Sequence, residues 1–225
     1  MKRLAIITAI VFVLAFGASY VIGVPDFAQG TAGATGQYST AAANAVQAEG
    51  GNVTQVDVST IMSTQKWQGF WGNISGSLAL GDGVDIFYNW TVVSFQAVYA
   101  SPGNDIDWAT AGDLSGQAAR EGKDTDYGFA SGDSDSINAT FGGGACSAGT
   151  IFAAADGVSS FNSTGGASAW ETCLGEDAGA ALDDTVFGAD IVWAGSDSFK
   201  GSSVQYQLMV PVIAAEDSYY FYLEI

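Results

Sequence analysis

The chain has 225 residues, 48% hydrophobic and only 13% charged, a balance that favours a folded body over disorder. Its 24 carboxylates against six cations leave a net charge of −18, which repels nucleic acid and anionic membrane surfaces. Histidine is absent altogether, which excludes Ser-His-Asp and Cys-His catalysis in their usual forms and His-ligated zinc.

In chain order, Lys2 and Arg3 precede an apolar run, Leu4–Gly23, interrupted only by Thr8 and Ser19. A basic start followed by an apolar stretch predicts an apolar signal or anchor helix within residues 1–28, with small-residue cleavage sites around Gly17, Ala18 and Ser19. Uncut, a run of about 20 apolar residues is long enough to span a bilayer, so membrane contact is expected only through residues 4–23. Residues 29–51 are mainly Ala, Gly, Thr and Gln with Tyr38 as the one aromatic, too poor in apolar bulk for a core. They read as a small-residue linker or N-terminal arm.

Residues 52–225 are expected to form one extracellular domain of the all-β class, an antiparallel β-sandwich of Ig-like or jelly-roll-like plan. Strand-like sequence is dense from Asn52 to about Tyr99. Ile74, Gly76, Leu78 and Leu80 alternate with polar or small residues, Gly81-Asp82-Gly83 follows, and Ile86, Tyr88, Trp90 and Val92 resume the alternation. Two such patterns around an Asp-Gly turn predict a hairpin whose aliphatic stripe faces the core. From Ser101 to Asp184 the composition shifts to Gly, Asp, Ser and Ala, predicting a long loop-rich insertion over 101–184 with a short helix around Trp108.

Cys146 and Cys173 are the two cysteines and match no metal spacing, so a disulfide pinning the insertion is expected, stabilising by roughly 3 kcal/mol in the chain-entropy model. Strand character returns in Val186–Trp193, Ser203–Ile213 and Tyr219–Ile225, with Asp217-Ser218 as a turn joining the last two. Pro211 predicts an edge position or bulge. Tyr219–Ile225 is apolar on both faces, so it must be central in its own sheet or be completed by another chain.

Five of the seven asparagines, Asn52, Asn73, Asn89, Asn138 and Asn162, sit in Asn-x-Ser/Thr glycan-acceptor triplets, where random placement would give roughly one. In the predicted hairpin Asn73 and Asn89 fall on the parity opposite the aliphatic stripe, the face that meets water. Trp67, Gly69 and Trp71 share a strand face; exposed, Trp67 and Trp71 form a platform for stacking sugar rings, and buried, half of a sandwich core. Asp124, Asp126, Asp133 and Asp135 begin like a calcium loop but fail as an EF-hand, leaving a generic Ca²⁺ site or solvated acidic loops as readings. Nothing selects a catalytic pair among the carboxylates, so glycoside hydrolysis is the remotest reading and no enzyme activity is expected. Gly142-Gly143-Gly144 lacks the residues of a phosphate loop.

The short basic start, the heavy Asn-x-Ser/Thr use, the acidity and the Gly-, Ser-, Thr- and Ala-rich β body together resemble, in general plan, secreted N-glycosylated archaeal cell-surface proteins of the pilus, thread-subunit or S-layer type. The resemblance implies an extracellular structural subunit that polymerises with copies of itself, by donated strands or as an array, and carries N-linked glycans. A monomeric carbohydrate- or calcium-binding adhesin module is the alternative. No resident cofactor is expected beyond the Ca²⁺ already weighed, and no nucleic-acid partner.

Overall fold

The computed structural model describes residues 25–37, 45–90, 94–114, 116–130, 132–141, 157–160, 170–177, 182–213 and 217–225. The strands are β1 (Asp26–Ala28), β2 (Trp67–Gly72), β3 (Leu78–Gly81), β4 (Ile86–Trp90), β5 (Ala97–Ser101), β6 (Gly112–Asp113), β7 (Gly157–Ser160), β8 (Trp170–Glu176), β9 (Thr185–Asp190), β10 (Ser196–Asp197), β11 (Ser203–Val204), β12 (Tyr206–Pro211) and β13 (Tyr220–Leu223). Helices α1 (Gln117–Asp126) and α2 (Ile137–Thr140) and one 3-10 turn (Leu182–Asp184) complete the described elements. The chain is all-β with antiparallel pairing throughout the described sheets.

The main sheet runs β1-β13-β5-β9-β8-β6, and β7 also pairs with β8. Its central strands are buried on both faces, because alternate residues feed two separate apolar clusters. Val98 and Ala100 of β5, Leu174 of β8 and Phe187 and Ala189 of β9 point into the larger cluster. Ala97 and Tyr99 of β5, Cys173 of β8, Val186 of β9 and Tyr222 of β13 point into the smaller. The β2–β12 pair closes the first face with Leu208 and Val210, and Phe70 packs against them. Tyr127, Phe129, Ile137 and Phe141, from α1, α2 and their connection, complete that cover. The second face is capped by Ile106 and by Trp108, whose ring lies 5.3 Å from Tyr99 and 5.0 Å from Tyr222.

Several expectations are corrected. Among its described residues the 101–184 stretch contributes β6, β7 and the buried β8, whose Trp-Glu-Thr-Cys-Leu-Gly-Glu sequence lacks the β-branched runs that mark strands. The helix lies at Gln117–Asp126, while Trp108–Thr110 is a turn held by Thr110 and Ala111 amides donating to the Asp107 carbonyl. Asp217-Ser218 does not join a hairpin, since β12 pairs with β2 and β13 with β5 and β1. Pro211 ends β12 in a two-stranded sheet, the edge position expected of it.

The β3–β4 hairpin forms in the expected register, yet its apolar stripe stays in water. Among the described residues, no side chain of either strand belongs to a core cluster. Residues 52–66, rich in Val and Thr, hold no strand and are almost all exposed. The expected N-terminal helix lies outside the described residues as far as residue 24, and residues 26–28 are a strand of the main sheet. Among the described residues no helix is long and apolar enough to cross a membrane.

Phe187 is fully buried, with the rings of Phe141, Tyr127 and Tyr219 within 6.4 Å. Phe187→Ala is expected to cost about 3–5 kcal/mol in urea unfolding, by lost transfer energy plus the cavity left behind. Burial also raises the phenols of Tyr99 and Tyr219 well above the ordinary range and pushes Tyr127 and Tyr222 up to about 12. The folded protein thus holds these protons where the unfolded chain releases them. The contribution of these tyrosines to stability is therefore constant below about pH 9 and is lost as pH rises through and beyond about 10. Tyrosinate absorbance that climbs together with loss of the near-ultraviolet dichroism signal is the expected result.

Candidate functional site

Among the described residues, the β1–β13 edge and the β3–β4 hairpin both carry apolar surface beyond the core's needs. β13 presents Tyr222 to one face of the sheet and Phe221 and Leu223 to the other. It escapes an edge position only because β1 pairs with it, Asp26 opposite Leu223, Phe27 opposite Tyr222 and Ala28 opposite Phe221. Phe27 lies 4.8 Å from the Tyr222 ring and 6.4 Å from Tyr220, yet is 60% exposed. Pro25 just before the strand is buried. After β1 the described residues up to Lys66 form no helix or strand and are almost all exposed. A short strand is thus docked on β13 and followed, among the described residues up to Lys66, by exposed chain without helix or strand. Sequence reasoning had assigned residues 26–28 to the signal or anchor segment. The signal that locates β1 is the doubly apolar β13, which demands a neighbour on each side.

The hairpin is anchored at its base. Ile74 packs on the larger core cluster, and its amide donates to Gln205 Oε1 at 2.7 Å. Gly76 lies so close to the Phe95 ring that a Cβ there would come within 2.6 Å of it, so a side chain at this position would lever the hairpin off the body. At the tip, Asp82 Oδ1 accepts from the amides of Val84 at 3.0 Å and Asp85 at 2.8 Å, and Gly83 has φ 93°, which favours glycine. Those backbone hydrogen bonds, Asp85 first and then Val84, hold the Asp82 carboxyl below its ordinary pKa. Leu78 pairs with Trp90 and Leu80 with Tyr88, and Ile86 shares their face; Asn89 pairs with Ala79 on the other.

The acceptor asparagines differ in setting. Asn52, Asn73 and Asn89 are exposed in extended or strand segments. Asn138 is half-buried in α2, where its Oδ1 accepts from Arg120 Nε at 3.1 Å and its amide donates to Asp124. Asn162 lies outside the described residues. Cys173 is fully buried and its thiol is not free, while Cys146 lies outside the described residues.

The two tryptophans of β2 have separate surroundings. Trp67 packs against Phe129 and Phe141 with ring centroids about 6 Å away, and its indole donates to the Asp135 carbonyl at 2.6 Å. Trp71, 38% exposed, meets the edge of Phe199 at 5.6 Å with Lys200 Nζ over its ring. A sugar platform therefore has Trp71 and Phe199 to draw on, with Trp67 held in the core packing. The four aspartates are likewise dispersed into structural work. Asp124 caps the approach of α2, Asp126 lies 4.0 Å from Lys123, Asp133 receives the Ala130 amide and Asp135 the Thr64 hydroxyl. Among the described residues no group of three His, Cys, Asp or Glu converges as a metal site.

Trp67→Ala is expected to lower stability by about 3–5 kcal/mol, whereas Trp71→Ala costs under about 1.5 kcal/mol; paired denaturant titrations check the contrast. No family model matches this chain, and neither a curated protein nor a solved structure matches it.

Proposed function

We propose that this chain is an exported, N-glycosylated structural subunit that assembles with copies of itself into a filament or surface array of the kind its general plan resembles. The observation that carries the reading is β1, a three-residue strand that completes the edge of β13 and is followed, among the described residues up to Lys66, by exposed chain without helix or strand. The same pairing made in trans keeps every hydrogen bond and the Phe27 contact, so exchange between identical chains costs little beyond the order of the tether. The donated element in this reading is β1 itself; the small-residue segment 29–51 supplies reach. Fully extended, residues 29–66 span on the order of 120 Å, more than a domain of this size requires.

The β-sandwich reading belongs to the same proposal, supported by the packing of β2–β12 over β5, β8 and β9. So do glycans at Asn52, Asn73 and Asn89 and a disulfide between Cys146 and Cys173. The adhesin alternative is favoured by one observation, the exposed Trp71 beside Phe199 and Lys200.

Electron microscopy of the native cell surface, with mass spectrometry of the polymer and of its glycopeptides, tests the proposal. Phe27→Asp should reduce the assembled fraction of the purified exported chain at least tenfold, because it places a charge against Tyr222 at the exchanged edge. A wild-type chain that stays monomeric at all accessible concentrations and never appears in surface polymers overturns the proposal. Sugar affinity abolished by Trp71→Ala in such a monomer would favour the adhesin.

A further inference from the structure

We infer that the β3–β4 hairpin is a self-association surface whose apolar face, Leu78, Leu80, Ile86, Tyr88 and Trp90, is buried against the same face of a second copy. The inference rests on the assembly reading and names a contact separate from the β1 edge. These five residues are between 44% (Trp90) and 65% (Ile86) exposed, although Tyr88 and Trp90 already touch at 4.8 Å. An isolated two-stranded hairpin is marginal in water, and this one is nevertheless held at a defined place by Ile74, Gln205 and the Gly76–Phe95 contact. A surface so presented has the character of a docking element.

Charge and area identify the occupant. The chain carries −18, so two copies repel wherever their carboxylates face each other. The strands Leu78–Gly81 and Ile86–Trp90 contain no Asp, Glu, Lys or Arg, which makes this a face on which two acidic copies meet without that cost. Five side chains of this size at half exposure present on the order of 500 Å², the upper end of what monomers leave open. Two such faces together bury about 1,000 Å², the size at which a specific interface begins. A two-fold contact is self-complementary by construction. Asn89 points to the opposite side with Ala79, so a glycan there leaves the contact face clear.

Sidedness gives the test. In the full exported chain, Ile86→Ser with Tyr88→Ser should weaken copy–copy association about tenfold or more in sedimentation velocity, with an unchanged melting curve. Phe87→Ser, on the Asn89 face and 85% exposed, should change it less than about twofold. In the unmodified chain, hydrogen exchange at the Ile86–Trp90 amides should slow as protein concentration rises, a readout independent of how any variant folds. Wild-type association that survives the double substitution, or is lost equally in Phe87→Ser, overturns this assignment and leaves the assembly reading standing. Exchange that slows only on adding phosphatidylcholine vesicles also overturns it. A wild-type chain that never associates removes both.

Discussion

Everything in this molecule depends on a sheet whose middle strands are apolar on both faces. A sheet of that kind needs cover above, cover below and a hydrogen-bonded neighbour at each edge, and the chain supplies each from a different region. The β2–β12 pair with the helical segment closes one face, and the Ile106–Trp108 turn closes the other. The C-terminal strand is clamped further by Tyr99, whose hydroxyl donates to the buried Glu224 carboxylate, and by Tyr222, whose hydroxyl donates to the Gly103 carbonyl. β1 then seals the β13 edge. Each cover is assembled from sequence-distant pieces, so the fold is held by long-range contacts rather than by local propensity.

The scarcity of cations sharpens this picture. Beyond the first three residues the chain has Lys66, Arg120, Lys123 and Lys200, and each is committed to a structural contact. Lys66 donates to the Gly128 carbonyl and sits over Phe129. Lys123, nearly fully buried, lies 3.3 Å from Glu176 and so ties α1 to the end of β8. Arg120 links α1 to α2 through Asn138, and Lys200 covers Trp71 and Phe199. Like charges on an acidic exterior repel, which is why the two uncharged strands of the hairpin stand out.

Strands with clear alternation, such as β4, β9 and β12, were legible in the sequence, as was the turn at Asp82-Gly83. What escaped reading were elements whose identity depends on partners. β8 has a mixed composition and becomes a central strand because β7 and β9 flank it. β1 is three residues long, below the length at which any pattern registers. The hairpin was legible in register and wrong in burial, since alternation specifies which residues share a face and leaves open what that face meets. Residues 52–62 show the converse, strand-like sequence with no strand beside it. Trp67 and Trp71 share parity on one strand and still part company, because the α1–α2 connection covers only the first.

The tether behind β1 has a consequence for where this chain closes on itself. In the proposed assembly, a linker of the length of residues 29–66 with random-coil reach, about 35 Å, would keep β1 near its own sheet edge at an effective concentration in the millimolar range. Under that proposal a dilute chain would complete its own sheet far more often than a neighbour's. Exchange between copies would become competitive only where the proposed subunits are confined at similar local density. In the proposed assembly, the length of residues 29–66 would thus set the local density at which exchange between copies begins.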